Sequence, residues 1–301
     1  MKRSKKTLCI IPIIIIILIL IVIGIYQITK NTKSNSNQND TKQEIVKSEN
    51  AKPEYKNVDY GTYFKNLNGC AVIYDLNDDV YYVYNSSQVN NSKSPYSTFK
   101  IVGTLIGLHN KVVQDEQSTM NYNGTDYHTP SWNKNLNLKE AVETSCVWYF
   151  RQIMNEVGEE KVKKELQELG YGNADTSEWN GSGINSIADL NGFWLDSTLR
   201  ITPMEQVQVL ARIFKGQTIY SEEEINILRN VMLKDSVGDY TILGKTGTNQ
   251  NKEGWYAGIA ECKEKKYSFA VYISSEDTKN TASGKVAREI VKEIFSKQTF
   301  C

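Results

Sequence analysis

A chain of 301 residues with 35 Lys+Arg and 35 Asp+Glu can hold one large domain or two small ones. The charge is uneven: residues 1–57 carry ten Lys/Arg against four Asp/Glu, and the remainder 25 against 31. That mildly acidic remainder, with no Lys/Arg-rich tract, argues against nucleic acid as a partner. Five cysteines at irregular spacing form neither a small-domain disulfide framework nor a zinc pattern, and the lone His109 and His128 offer no metal site.

In chain order, Met1-Lys2-Arg3-Ser4-Lys5-Lys6 precedes an apolar run from Leu8 to about Tyr26, long enough to span a bilayer. The cationic end is expected to stay in the cytoplasm and to send the rest of the chain outward. No small-x-small cleavage site lies close behind the run, so residues 1–28 read as an uncleaved signal-anchor, with a cleaved signal peptide as the alternative. Cys9 lies at the start of the run, where a lipobox cysteine would lie after it, which disfavours lipidation. Residues 29–56 are Asn, Ser, Lys, Gln and Thr with almost no aromatics, a solvated, disordered tether.

Order is expected from about Tyr60. Cys70–Asp75 and Val80–Asn85 are β-rich runs around Leu76-Asn77-Asp78-Asp79 and read as a hairpin. Pro95-Tyr96-Ser97-Thr98-Phe99-Lys100, leading into Ile101–Leu108, predicts a buried helix with Ser97 in its first turn. Ser97 and Lys100 then share a face, and apolar neighbours make the charged amine costly. A neutral amine beside a serine is a base beside a nucleophile. A helix from Leu138, capped by Asn137, is expected to run to about Val157 with Ser145 near one face, and a second to span 159–169. The stretch 174–198 reads as a loop, although Phe193-Trp194-Leu195 should fold back inward. Thr202-Pro203-Met204-Glu205 starts a helix with a capping-box pattern, and another spans about 221–233. Tyr240–Gly247, Trp255–Cys262 and Tyr267–Ser274 read as strands, and about 285–295 as an amphipathic helix. Strands at both ends with helices between imply an α+β fold, its five-stranded antiparallel sheet made from the first two strands and the last three. Cys70 and Cys262 both lie on expected strands, which leaves a bridge between them open.

Ser97/Lys100, Ser145 and Lys245-Thr246-Gly247 stand where one cleft could collect them. They supply the nucleophile, base, proton relay and cation that acyl transfer to an anionic substrate needs. A glycine at the end of a strand lets a substrate amide approach the backbone.

With these stretches the chain resembles a class D (OXA-type) serine β-lactamase from about Tyr60 to the C-terminus. The resemblance rests on Tyr82-Val83-Tyr84-Asn85, Pro95–Lys100, Trp132-Asn133, Ser145-Cys146-Val147 with Trp148-Tyr149-Phe150 behind it, Tyr171-Gly172-Asn173 and Phe193-Trp194-Leu195. It continues through Leu199-Arg200-Ile201, Lys245-Thr246-Gly247 and Gly254-Trp255-Tyr256-Ala257-Gly258. It implies an α/β/α sandwich of the serine β-lactamase/penicillin-binding transpeptidase type over residues 57–301, and β-lactam hydrolysis through an acyl-enzyme on Ser97. Lys100 is implied to be N-carboxylated by CO2 or bicarbonate, with no other cofactor, and the Trp194 indole N–H to donate to the carbamate. Backbone N–H groups of Ser97 and Thr248 are implied to hold the oxyanion, Ser145 to relay a proton, and Val147 to wall the carbamate. Lys245, Thr246 and Gly247 line the place of the substrate carboxylate. The family's arginine from the last helix coincides with neither Lys285 nor Arg288; Arg288 is the candidate. Cys146 reads as a small buried filler. Two rivals share these motifs: a sensor domain that acylates and stays acylated, and a penicillin-binding D,D-peptidase. The implied setting is a single-pass protein with its catalytic domain outside the membrane.

Overall fold

The computed structural model describes residues 52–250, 252–276, 281–298 and 300–301. The signal-anchor reading (1–28) and residues 29–51 of the tether lie outside them. The strands are β1 (Glu54–Asn57), β2 (Asn68–Asp75), β3 (Val80–Tyr84), β4 (Thr119–Met120), β5 (Leu136–Asn137), β6 (Leu233–Val237), β7 (Tyr240–Asn249), β8 (Glu253–Cys262) and β9 (Lys265–Ser274). The helices are α1 (Gly61–Phe64), α2 (Lys100–His109), α3 (Leu138–Glu143), α4 (Val147–Val157), α5 (Glu159–Leu169), α6 (Pro203–Phe214), α7 (Glu222–Val231) and α8 (Gly284–Lys297).

The hairpin β2–β3 forms because β-branched and aromatic residues alternate on either side of a turn that one carboxylate closes. Asp75 Oδ1 accepts from the backbone N–H groups of Asn77 and Asp78 at 2.9 and 3.0 Å. β2 then pairs antiparallel with β9 over its whole length, from Asn68↔Ser274 to Asp75↔Tyr267. This joins the first strands to the last three, as the element order implies.

The main sheet runs β1-β3-β2-β9-β8-β7-β6, seven strands rather than the expected five. The two additional strands are its edges. β1 pairs parallel to β3 and all four of its residues are exposed, so ordered chain begins inside the stretch whose composition reads as tether. β6, Leu-Lys-Asp-Ser-Val, pairs antiparallel with the first half of β7 and alternates half-buried and exposed residues. Charged, short edge strands carry little hydrophobic signal because one side of them faces water.

Central strands are buried on both faces, which produces two apolar layers. Cys70, Val72 and Tyr74 of β2 pack with residues of α2, α4 and α6. Ala71 and Ile73 point the other way, into a layer with Ile290, Val291 and Ile294 of α8. Helices on both faces of a mixed sheet make the α/β/α sandwich. α2 is buried along its length, and it lies tightly against α4: a Cβ on Gly107 would stand 2.8 Å from Ile153 Cγ2.

The cysteines close the question left open. Cys262 bridges Cys301, tying the end of β8 to the C-terminus, while Cys70 and Cys146 are buried free thiols. The Tyr171-Gly172-Asn173 stretch gains a structural account. Gly172 has φ +53°, and a Cβ there would stand 1.9 Å from the Arg200 carbonyl oxygen. Asn173 meanwhile donates to Thr198 O at 2.8 Å and accepts from Arg200 N at 2.9 Å. The turn thereby pins the end of the loop carrying Trp194. Gly172→Ala should lower stability by more than about 2 kcal/mol in urea denaturation, because the left-handed conformation and the carbonyl contact both penalise a methyl group. An unchanged midpoint would contradict this account.

Candidate active site

Ser97 lies in a single 3-10 turn, Tyr96–Phe99, which runs directly into α2 at Lys100. In a 3-10 turn residues i and i+3 eclipse each other, so Ser97 and Lys100 are brought face to face by local geometry. Lys100 Nζ donates to Ser97 Oγ at 2.8 Å. Lys100 is wholly buried, with its amine 5.5 Å from the centroid of the Phe150 ring. Burial pushes its pKa down to about 7, and the nearby Cys146 thiol offsets only part of that.

Ser145 does not sit on a continuous helix. The expected helix over 138–157 is broken at Thr144-Ser145-Cys146 into α3 and α4, and Ser145 has φ +58°. Trp132 Nε1 donates to the Thr144 carbonyl at 3.1 Å, and Cys146 N to Ala141 O at 2.8 Å, so the break is braced from both sides. It turns the Ser145 hydroxyl toward Lys245, whose Nζ donates to it at 3.1 Å and to Thr246 O at 3.1 Å. Lys245 is also buried, and its pKa falls well below its ordinary value through burial first, then the charges of Lys100 and Arg288.

The second half of β7 has an open edge. β6 pairs only with residues 240–244, so Lys245–Asn249 have β8 on one side alone. The start of α8 backs this segment. Gly284 N donates to Thr248 Oγ1 at 2.9 Å, and a Cβ on Gly284 would come within 2.7 Å of Gly247 O. On its other side the segment passes the nucleophile turn: a Cβ on Gly247 would lie 3.2 Å from Pro95 O and 3.4 Å from Ser97 N.

Trp194 is fully buried, stacked on Phe99 with ring centroids 5.0 Å apart and planes 19° apart. Its indole Nε1 has no hydrogen-bond partner among the described residues. An unpaired buried donor is costly, which makes it a place for an acceptor the bare chain lacks. Val147 opens α4 and is buried at its first turn. Arg288 is the candidate held apart from the serine cluster. Its guanidinium forks onto Asp235 of β6, Nε to Oδ2 at 2.7 Å and Nη2 to Oδ1 at 3.0 Å. It lines a surface cavity of about 550 Å³ with Lys234, Thr241 and Leu243.

Several positioning groups carry no motif that the sequence alone would single out. Ser94 Oγ donates to Trp194 O at 3.1 Å and accepts from Asp196 N at 2.9 Å, while Trp255 Nε1 donates to Ser94 O at 3.1 Å. Gln206 Nε2 donates to Thr98 Oγ1 at 2.8 Å. Tyr96, immediately before the nucleophile, has φ +46°, a conformation costing a bulky residue about 1–2 kcal/mol. A buried polar residue next to a strained turn is a signal, but it is visible only once the turn is known.

A Ser-x-x-Lys pair at a buried helix start, beside a Lys-Thr-Gly strand, defines the class of penicillin-recognising serine proteins. A penicillin binding protein transpeptidase domain matches residues 39–296. The probable β-lactamase YbxI of Bacillus subtilis is 33% identical over 78% of this chain and 82% of its own length. A crystal structure of a class D β-lactamase from Bacillus subtilis superposes with a TM-score of 0.71 and 32% identity, covering 80% of this chain and 95% of that one. The C-terminal domain of the Bacillus licheniformis BlaR penicillin-receptor also superposes at 0.71, with 25% identity over 83% of this chain and all of that domain. The chain belongs to the class D β-lactamase family.

The depressed Lys100 pKa has a sign that can be measured. An amine near 7 when folded and near 10.5 when unfolded leaves the unfolded chain holding the extra proton between those values. Stability therefore climbs as pH rises through that window, and the penalty is full below it. In bicarbonate-free urea denaturation between pH 7.5 and 9.5, Lys100→Met should lose about 1.4 kcal/mol per pH unit of that slope. Parallel slopes for the two proteins would show that the amine is not desolvated.

Proposed function

We propose that the protein hydrolyses β-lactam antibiotics through an acyl-enzyme on Ser97, and so confers resistance, with Lys100 N-carboxylated by CO2. The observation that carries this reading is the pairing of a desolvated amine at Ser97 with an orphaned buried donor at Trp194. Only a neutral amine reacts with CO2, and burial supplies that form near neutral pH. Lys100 would carry the group and Trp194 Nε1 would hydrogen-bond it, with Val147 as its apolar wall. The modification supplies a base for the Ser97 hydroxyl and, later, for a hydrolytic water.

Ser97 Oγ then attacks the lactam carbonyl. Negative charge on the carbonyl oxygen falls to the backbone N–H groups of Ser97 and Thr248. As the carbonyl–nitrogen bond breaks, Ser145 passes a proton to the departing nitrogen, and its contact with Lys245 makes that hydroxyl a ready relay. Lys245, with Thr246 and Gly247 on the open strand edge, receives the substrate carboxylate. Arg288, committed to Asp235, contributes positive charge rather than a free fork. The apolar run before Tyr26 would hold the domain at the outer face of a membrane.

The likeness to a penicillin-receptor domain supports a second reading, acylation without turnover. Steady hydrolysis of a chromogenic cephalosporin, accelerated by added bicarbonate, is expected for the enzyme; a single stoichiometric burst with a stable adduct selects the receptor. Trp194→Phe keeps the stacked ring and removes the N–H. It should acylate at a near-normal rate and deacylate at least about 100-fold more slowly, so that the adduct accumulates in intact-mass spectra. Equal slowing of both steps would remove Trp194 from the assigned role.

A further inference from the structure

The two N–H groups assigned to the oxyanion belong to Ser97 and Thr248, and the residues beside them, Tyr96 and Asn249, are tied to each other across the gap. Asn249 Nδ2 donates to Tyr96 Oη at 2.8 Å. Both also donate to one carboxylate oxygen, Glu253 Oε2, the tyrosine hydroxyl at 2.6 Å and the amide at 2.9 Å. Tyr272 Oη donates to the other oxygen of Glu253. Glu253 faces Asn249 as its cross-strand partner where β7 and β8 meet, so the carboxylate is held on the sheet rather than on a loop. Lys93, whose ammonium lies 5.3 Å from the centroid of the Tyr272 ring, adds a positive charge nearby. Burial alone would raise the Glu253 pKa, but the hydrogen bonds from Asn249, Tyr272 and Tyr96 and the Lys93 charge lower it, so the group is an ionised acceptor.

The clamp reaches the reacting centre through the backbone. Tyr96 holds its left-handed φ of +46° directly before Ser97, and its side chain is 4% exposed, so the ring and hydroxyl anchor that conformation from the far side of the turn. Asn249 lies directly after Thr248 at the end of the open strand edge, where β8 is the sheet's remaining hold on it. Among the described residues, the Tyr96–Asn249–Glu253 cluster is the side-chain hydrogen-bond link between the nucleophile turn and the tip of β7.

We propose that Glu253 is a positioning residue: by clamping Tyr96 and Asn249 to one oxygen, it sets the separation of the Ser97 and Thr248 N–H groups. This rests on the reading of those groups as oxyanion donors. Widening a preorganised donor pair weakens the transition state of both acylation and deacylation, because each passes through a tetrahedral oxyanion, and leaves initial substrate binding alone.

The test uses Tyr96→Phe, which removes one oxygen, and Glu253→Gln. In both, the acylation and deacylation rate constants for a penicillin should fall together by at least about tenfold, with the dissociation constant of the preceding complex within about twofold of normal. Affinity for a boronic acid, whose tetrahedral adduct places an oxygen in the gap, should fall in parallel. In the ligand-free protein the Ser97 and Thr248 amide resonances should shift in both variants. If Glu253→Gln does not fold, Tyr96→Phe decides alone. Normal rates with unmoved amides, or slowing confined to deacylation, would overturn the clamp. Failure of the unsubstituted protein to acylate would instead overturn the oxyanion reading, and the amide resonances would still decide whether Glu253 sets the gap.

Discussion

A lysine amine kept out of water is the constraint on which the site depends. Solvating an ammonium is worth far more than any single hydrogen bond to it, so a dry lysine lowers its pKa rather than bear the full cost of a buried charge. The fold maintains that dryness by burying α2 from Lys100 to Leu108, and by placing Phe150 and the Phe99–Trp194 pair around its first turn. Lys245, equally buried, is pushed down first by its own burial and then by the charge of Lys100, since two ammonium groups in one low-dielectric pocket oppose each other's protonation. Stability is given up here so that an amine can be a base at neutral pH.

The same exchange of stability for geometry explains the backbone. Two non-glycine residues with left-handed φ, Tyr96 and Ser145, sit directly before Ser97 and at the hydroxyl that meets Lys245. Such conformations persist only where their surroundings over-determine them. At Ser145 the bracing comes from Trp132 and the α3 carbonyls. At Tyr96 it comes from Glu253 and Asn249, while Ser94 fastens the preceding residues to the Trp194 loop and to β8. The nucleophile turn is thus held from the loop, from the sheet and from α6 at once, with Gln206 as the last of these.

Enzyme and receptor share this scaffold, and in the proposed reading they differ in what would follow acylation of Ser97. Acylation needs the serine, its base and the oxyanion donors. Deacylation needs the base to survive in the acylated state. In that reading, weight falls on buried groups able to hold the modified lysine without touching the substrate, and the unpartnered Trp194 N–H, on the ring stacked against Phe99 beside Lys100, is the clearest among the described residues. Arg288 shows the opposite case. A guanidinium within reach of the site is already paired bidentately with Asp235, so its strongest interaction is structural.

Features set by neighbours within one turn were legible in the sequence by itself. The Ser97–Lys100 pairing comes from a three-residue spacing, the Asn137 cap and the Thr202–Glu205 box are local patterns, and the β2–β3 hairpin comes from a polar turn between β-rich runs. Element order also carried the joining of β2 to β9. The tertiary structure decided what depends on partners far along the chain. Ser145 and Lys245 are 100 residues apart and Tyr96 and Glu253 are 157 apart, so neither the helix break nor the clamp has a local signature. The capture of Arg288 by Asp235 and the Cys262–Cys301 bridge were hidden for the same reason, and the polar edges β1 and β6 because a short strand with one side in water carries little hydrophobic pattern. A single side chain's propensity reports on the few residues beside it, whereas the energy of a buried polar contact is set by whichever group the completed fold brings within about three ångströms.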